Sequence, residues 1–156
     1  MSEAPTTTTT PASAISGDPY RVCNFKVVKG GETIAHFVEC GPLSADVGTV
    51  EYREAGQAQV VHKIPTYTSY SDVTLRYGLT SSTTMWDWFV AVTRGQVDRA
   101  NVSIVLLGAD GATPVIQWDL IGAFPRRWTS ASLRANAREV AIEEVVLAYE
   151  SLGREV

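Results

Sequence analysis

The sequence predicts a mainly β domain that carries one α-helix. Apolar and polar residues alternate in several short segments, glycines separate some of them, and one segment has its apolar residues at helical spacing. With 156 residues, 45% of them apolar, the chain can form one core without disulfide or metal crosslinks. We expect a single folded domain over residues 18–156, after a flexible arm over residues 1–17 that is rich in Thr, Ala and Pro.

Strand patterns recur in the first half of the chain. The alternating segments are residues 21–29, 33–40 and 57–64. Gly30 and Gly31 favour a hairpin between the first two strands. Residues 40–56 contain Gly, Pro and Asp, and we interpret them as a long loop. Pro65 is expected to end the third strand, because proline cannot donate a hydrogen bond to a neighbouring strand.

A strand-to-helix change follows. Residues 73–77 alternate, and their odd-numbered positions are apolar, which predicts a strand with one buried face. Gly78 permits a turn, and the hydroxyl groups of residues 80–82 are expected to cap a helix. Gly95 is expected to end that helix. The helix has an apolar stripe at i, i+3, i+4 and i+7, formed by Met85, Trp88, Phe89 and Val92.

The second half of the chain predicts two strands joined by a turn. Residues 102–107 and 115–122 are the strands, and residues 108–111 form the turn. Trp118 is expected to be a core anchor, together with Met85, Trp88 and Phe89. Residues 125–128, Pro-Arg-Arg-Trp, are interpreted as a corner. Trp86 and Trp128 fit a subunit contact as well as they fit the core.

The segment over residues 140–149 has two interpretations. Its apolar positions fit a helical stripe, and periodicity alone favours a helix. Its β-branched residues fit a strand whose inward face switches across Glu143 and Glu144, as a bulge allows. The residue pattern leaves both open.

Composition excludes several classes of function. A formal charge of -4 and a pI of about 5.1 argue against a protein whose main task is to hold nucleic acid. The longest apolar run, residues 102–107, is too short to span a bilayer, and no secretory signal is readable. We expect a soluble protein made in the cytoplasm, without stable membrane insertion. Cys23 and Cys40 are expected to be small buried apolar side chains.

No residue pattern indicates a catalytic, cofactor or metal site. His36 and His62 lack the spacing of zinc ligands, and no G-x-S-x-G motif is present. Glu143 and Glu144 would point to opposite faces of a strand, which is poor geometry for a cooperating acid and base. We therefore predict no enzymatic activity and no cofactor.

Taken together, the segments resemble the tail tube family of contractile phage tails and of phage-derived extracellular contractile injection systems. The resemblance covers residues 18–153 in order and spacing. The segments that carry it are DPYRVCNFKV, TVEYREAG, HKIPTYTSYSDVTLRYGLTSSTTMWDW, QWDLIGAFPRRW and NAREVAIEEVVLAYESL. The chain departs from the family at Thr66, where glycine is frequent, and in its longer N-terminal arm.

The resemblance implies a small β-sandwich or barrel-like domain with one helix, in which residues 140–149 form a strand. It also implies hexameric rings with a continuous β-barrel channel, stacked into a tube. Its expected partners are other copies of the chain, a sheath protein, a baseplate adaptor, a tube-terminating cap and a cargo in the channel. Phage tails and injection systems use the same subunit, so the chain does not distinguish them.

The resemblance further implies an extended loop that contacts neighbouring subunits and rings. The residues expected to make this contact are Glu51, Tyr52, Arg53 and Glu54. The candidate channel-lining residues are Gln57, Gln59, Lys63, Thr74 and Arg76. The alternative from another class is a monomeric β-barrel module that binds a small ligand; a hydrolase using His36 or His62 is weaker still.

Overall fold

The computed structural model describes residues 24–35, 37–56, 59–136 and 138–156. In chain order, its elements are β1 (Phe25–Lys29), β2 (Glu32–Ala35), β3 (Phe37–Cys40), β4 (Ala45–Tyr52), β5 (His62–Tyr70), β6 (Val73–Gly78), α1 (Thr84–Thr93), β7 (Ala100–Leu107), β8 (Pro114–Thr129), β9 (Ile142–Ala148) and β10 (Ser151–Glu155). The predictions for residues 1–17, Cys23, His36 and Gln57 lie outside the described residues.

The long strand β8 connects two antiparallel sheets. Its first half pairs with β7 and β10, and its second half pairs with β9. The strand order is β2-β1-β7-β8-β9-β6-β3, with β10 paired to β8. The register of β8 against β9 shifts between Pro125 and Arg127, and such a bulge bends a strand. The predicted mainly β fold with one helix is confirmed.

The core lies between the inner faces of the two sheets. Alternation places the apolar side chains of each strand on this side. The first sheet contributes Val27, Val102, Ile104 and Leu120, and the second contributes Val73, Leu75, Val145 and Leu147. Met85 and Trp88 extend the core from α1. The predicted buried face of residues 73–77 is therefore confirmed.

Helix α1 is held to the sheets by Trp88. The indole N–H of Trp88 donates a hydrogen bond to the Asp98 carbonyl oxygen at 2.8 Å, and the Lys29 ammonium lies 4.1 Å from the ring centroid. Met85 and Trp88 are buried as predicted, and Phe89 is half-buried. No helix of the described residues is long and apolar enough to cross a membrane.

The ends of α1 agree with the prediction only in part. Gly95 follows the helix with φ of 82° and donates its N–H to the Val92 carbonyl oxygen at 3.0 Å, so the predicted stop is confirmed. The N-cap is Thr83, one residue after the predicted hydroxyl cluster. Its hydroxyl donates to the Asp87 carboxylate at 2.8 Å and makes no cap bond to the backbone.

Several predicted strand ends are wrong. Pro65 lies inside β5, which is tolerated because each strand of a two-stranded sheet is an edge strand. Pro125 lies inside β8 at the bulge, so the predicted corner is a bent strand. Residues 45–52, interpreted as part of a loop, form β4. No residue pattern predicted the strand β10.

The ambiguous segment over residues 140–149 contains the strand β9. This confirms the fold implied by the family resemblance and shows that the helical periodicity was misleading. The pairing of β9 with β6 stays in register across Glu143 and Glu144, so the bulge lies in β8 instead. Val145 and Leu147 face the core.

We predict that Trp88→Ala lowers the free energy of unfolding by about 3–5 kcal/mol, because it leaves a cavity between α1 and the sheets. Urea denaturation of the dilute subunit, followed by circular dichroism, measures this loss. Trp86→Ala, on the exposed side of the same helix, is the matched control and should cost less than half as much. Equal losses for the two variants would contradict the assignment of Trp88 as the anchor.

Candidate assembly surfaces

Strands β4 and β5 form a separate two-stranded sheet, which we call the arm (residues 45–70). Its two strands are joined at the base by the Ser71 N–H, which donates to the Ser44 carbonyl oxygen at 3.1 Å. The rings of Tyr70 and Tyr149 also lie 5.8 Å apart, centroid to centroid. A lone two-stranded ribbon is only marginally stable in water. The arm is therefore expected to gain stability from contact with another surface.

One face of the arm is apolar. Val50 and Ile64 are direct cross-strand partners, and Tyr52 lies on the same face two residues along β4. A Cβ added to Gly48 would lie 3.2 Å from the Tyr67 ring, so that ring covers Gly48 on this face too. Val50, Tyr52 and Ile64 are half-exposed, and Tyr67 is 72% exposed. We call these four residues the apolar arm face. Exposed apolar clusters of this kind mark protein contacts.

The predicted contact residues fall on both sides of the arm. Tyr52 belongs to the apolar arm face, whereas Glu51 lies on the opposite face, across from Lys63. Arg53 and Glu54 follow β4 and are exposed. The four predicted residues are consecutive in the chain, but they do not share one face of the arm.

The sequence interpretation missed Val50, Ile64 and Tyr67. The signal was present, since Thr-Val-Glu-Tyr at residues 49–52 alternates and places Val50 and Tyr52 on one side. It was overlooked because the surrounding Gly, Pro and Asp residues suggested a loop.

The outer face of the second sheet carries a compensated ion cluster. Arg76 of β6 donates to the carboxylates of Glu39 in β3 and Glu144 in β9, each at 3.0 Å. These hydrogen bonds, first that to Glu144, raise the pKa of Arg76 above its ordinary value. All three groups are solvent-exposed to some degree, so the cluster contributes little stability. One guanidinium against two carboxylates leaves a polar face with a net charge of -1 in this cluster.

The candidate channel-lining residues fall into two groups. Thr74 and Arg76 share the outer face of β6. Gln59 and Lys63 belong to the arm and are exposed. Gln57 lies outside the described residues. The five residues therefore do not form one continuous strand face in the subunit.

An open apolar cleft of about 490 Å³ separates the end of β3 from the first sheet. Phe25, Leu43, Ile104 and Trp118 line it, so the predicted core anchor Trp118 is only half-buried. Cys40 also lines this cleft, and burial raises its pKa to about 11. At neutral pH the thiol is therefore protonated and packs as a small apolar group, as expected.

The opposite end of the second sheet carries a mixed surface, which we call the loop end (residues 79–83, 130–136 and 138–141), where exposed apolar side chains lie beside Ser132, Arg134 and Glu139. Leu133 and Val140 line one cavity of about 420 Å³ and are 81% and 77% exposed. Leu79 is half-exposed, and its N–H donates to the Ala141 carbonyl oxygen at 2.8 Å. Leu133 and Val140 therefore belong to one surface, and Leu79 is joined to the same loop through its backbone.

Trp86 and Trp128 pack on each other rather than separately in the core. Their ring centroids lie 4.5 Å apart with the planes at 62°, a favourable edge-to-face arrangement. Trp86 remains 42% exposed. The pair therefore presents a partly exposed aromatic surface, and a subunit contact there stays a prediction.

No metal site occurs in the described part of the chain, where no group of three His, Cys, Asp or Glu side chains could hold an ion. His62 is exposed on the arm.

The sequence matches the family described as "T4-like virus tail tube protein gp19" over residues 21–153. No curated protein matches the sequence. Among solved structures, the chain is similar to one in the sheath–tube complex of the extracellular contractile injection system PVC in its extended state. The identity is 28% and the TM-score 0.78, covering 88% of this chain and 91% of that chain.

Two further structures support the fold. A chain of the anti-feeding prophage tube-terminating cap is 24% identical with a TM-score of 0.82, covering 94% of this chain and 97% of that one. A chain of the anti-feeding prophage baseplate is 22% identical with a TM-score of 0.77, covering 90% and 97%.

We predict that amide hydrogens of the arm exchange faster than those of β6 and β9 in the dilute subunit, because the arm lacks a core of its own. Hydrogen exchange followed by mass spectrometry measures this difference. On assembly, the hydrogen-exchange rate of the arm amides should fall by about tenfold or more, because neighbouring subunits cover the exposed ribbon. Arm amides that are as protected in the free subunit as those of β9 would contradict the assignment.

Proposed function

The chain belongs to the family of T4-like virus tail tube proteins, which it matches over residues 21–153, and we propose that its copies form hexameric rings that stack into a tube. It is a structural subunit of the inner tube of a contractile injection apparatus, and not an enzyme. It is thus a component of a phage tail or of a tail-like particle. The family match over most of the chain is the observation that carries the proposal.

Unpaired strand edges support ring formation. Within the described residues, β2, β3 and β10 each have a strand partner on one side only. Such edges readily pair with other chains, and a closed ring of identical subunits removes them. We therefore propose that the edges of neighbouring subunits meet around the ring and make its sheets continuous.

The outer face of the second sheet suits a channel lining. It is polar, and Arg76 is compensated by Glu39 and Glu144 at 3.0 Å each. A lining of this kind is wetted by water, and its net charge of -1 per subunit in this cluster would make the channel surface mildly acidic. Thr74 and Arg76 are therefore the proposed channel-lining residues of this face.

The proposed mechanism is mechanical. A surrounding sheath contracts and drives the rigid tube, with its cargo or tip, through a target envelope. The similar structures come from a sheath–tube complex, a tube-terminating cap and a baseplate. We propose that this chain likewise contacts a sheath protein, a tube-terminating cap and a baseplate adaptor. The particle is proposed to assemble in the cytoplasm.

Purified protein at increasing concentration is expected to form rings and hollow tubes. Electron microscopy shows the particles, and light scattering follows their growth with concentration. The alternative, a monomeric module that binds a small ligand, predicts a monomer throughout. A monomer at every concentration, together with its absence from hollow fibres in the native particle, would contradict the proposal.

We predict that Arg53→Glu leaves the subunit folded but slows tube assembly by about tenfold at low ionic strength, because charges at an interface mainly steer encounter and set register. Light scattering after dilution into low salt measures the rate, and circular dichroism checks the fold. Arg94→Glu, which reverses an exposed charge at the end of α1, is the control and should assemble normally. Normal assembly of Arg53→Glu would remove Arg53 from the interface.

A further inference from the structure

The described part of the chain begins beside the open apolar cleft. Phe25 and Leu106 are direct partners in β1 and β7, and both side chains line the cleft. Asn24 precedes Phe25 and makes two hydrogen bonds at the same end of the sheet. Its carbonyl oxygen accepts the Leu107 N–H at 2.8 Å, and its side-chain amide donates to the Gly108 carbonyl oxygen at 3.3 Å. The residues before Asn24 therefore leave the first sheet at the mouth of this cleft.

The chain before β1 has no strand to pair with at this point. β7 ends at Leu107, and the Gly108 N–H donates to the Thr113 carbonyl oxygen at 2.8 Å in the turn that leads to β8. On the other side of β1, the pair nearest to its start joins Val27 to Ala35. Within the described residues, neither neighbouring strand extends beyond the start of β1. Apolar side chains in the preceding segment therefore need another surface to cover them.

The cleft is a gap in the core rather than a patch on the outside. Ile104 is buried, whereas four further lining residues pack against the core and are only half-buried. These four are Phe25, Cys40, Leu43 and Trp118. Protein interiors are normally close-packed, and this volume of about 490 Å³ interrupts the packing between the two sheets. Apolar side chains that filled it would complete the core at this end.

The cleft offers mainly apolar contacts. Among the described residues that line it, only Glu39 carries a charge, and its carboxylate accepts a hydrogen bond from Arg76 at 3.0 Å. Sites for small molecules usually add a few polar groups that fix the orientation of the ligand. An apolar stretch of polypeptide therefore fits this cleft better than a polar ligand does.

The sequence supplies such a stretch immediately before β1. Residues 18–22 are Asp-Pro-Tyr-Arg-Val, and we call them the N-terminal segment. Tyr20 and Val22 precede Phe25 by so few residues that even an extended chain keeps them within about 17 Å of it. Pro19 restricts the unbound segment, which lowers the entropy lost on binding. The Thr-rich residues before position 18 have almost no large apolar side chain.

Covalent attachment favours this segment over other occupants. A short flexible connection gives a tethered segment an effective concentration in the millimolar range. A free ligand or a partner protein must reach that concentration, or bind much more tightly, in order to displace it.

We infer that the N-terminal segment binds the cleft of its own subunit, where Tyr20 and Val22 cover Trp118 and Cys40. The segment closes the open end of the core and connects the first sheet to the end of β3. The occupied cleft leaves no room for the small ligand of the alternative function. The family match begins at residue 21, so most of the segment lies outside that match. The inference concerns a single subunit and does not depend on the proposed tube.

The reactivity of the Cys40 thiol measures whether the cleft is covered. The full chain with Cys23→Ser keeps Cys40 as its single thiol, and it is used at a concentration where light scattering shows dispersed subunits. Tyr20→Asp is expected to raise the rate of reaction with DTNB by about tenfold or more, because burial of a carboxylate in the cleft is unfavourable. Circular dichroism checks that the variant remains folded.

Two control variants separate loss of the apolar ring from addition of a charge. Tyr20→Phe keeps the ring, and Thr10→Asp adds the same charge outside the segment. Both should react as slowly as the Cys23→Ser parent. An unchanged rate in Tyr20→Asp, or a parent thiol that already reacts as fast as in unfolded protein, would overturn the inference.

Disulfide trapping identifies whose cleft the segment occupies, and it does not require the segment to be disrupted. Arg21→Cys in the Cys23→Ser chain places a thiol between the two apolar side chains. Oxygen with copper phenanthroline oxidises this thiol and that of Cys40 to a disulfide. We expect the link to form within one chain, and Tyr20→Asp should slow its formation. A non-reducing gel and mass spectrometry of the linked peptides identify the product.

The outcomes of the trapping experiment are distinct from those that test the proposed function. A link that forms only between two chains would place the segment in the cleft of a neighbour and would overturn the inference, as would the absence of any link. Wild-type protein that forms no tubes would contradict the proposed function alone.

Discussion

Backbone hydrogen bonding by β8 determines the arrangement of the rest of the domain. One strand of 16 residues pairs with β7 and β10 over its first half and with β9 over its second half. The bulge between Pro125 and Arg127 bends the strand between these two roles. The two sheets can therefore face each other across one core while sharing a continuous backbone. Trp88 then attaches α1 to this core through the Asp98 carbonyl oxygen and the Lys29 ammonium.

This arrangement separates stability from assembly. The buried side chains lie between the sheets, whereas the arm departs from the domain at Ser44 and Ser71 and has no core. Changes on the arm can therefore alter contacts between copies with little effect on the folding of the body. The antiparallel pairing of β6 with β9 also places the arm and the loop end at opposite ends of the subunit. The two ends of the domain along β6 and β9 therefore differ in their surfaces.

The residue pattern predicted the body of the domain better than the arm. Residues 73–77 and 85–92 have unambiguous periods, so the buried strand face and the helix stripe were predicted correctly. Residues 140–149 were ambiguous because apolar residues occur on both faces of the strand around two acidic residues, and this arrangement imitates a helical spacing. Pro65 and Pro125 were misleading, since proline normally ends a strand, and the edge position and the bulge that accommodate them arise from pairing with distant residues.

The arm face illustrates a further limit of local patterns. Val50 and Ile64 are 14 positions apart and become neighbours only through the register of β4 against β5. Tyr67 joins them because Gly48 leaves room for its ring, where a Cβ would lie 3.2 Å from it. Charged residues near the arm tip were conspicuous in the sequence, but the register shows an apolar surface beside them. The family resemblance indicated which segment makes contacts. The apolar chemistry of its surface could be recognised only from the pairing of β4 with β5.

The size of this apolar face suggests why rings should form before they stack. Full burial of a large apolar side chain contributes about 1.5–3 kcal/mol, so covering these four, of which three are about half-exposed and Tyr67 is 72% exposed, contributes about 3–7 kcal/mol. Association of two free subunits costs a similar amount, roughly 4–15 kcal/mol, in lost translation and rotation. A single arm therefore holds two subunits weakly. In the proposed ring of six subunits, six arms bind at the same time, whereas the loss of translational and rotational freedom is incurred only once. The six contacts therefore act together. We therefore expect the free subunit to stay dispersed at low concentration, and the arms of the proposed ring to bind only when they act together.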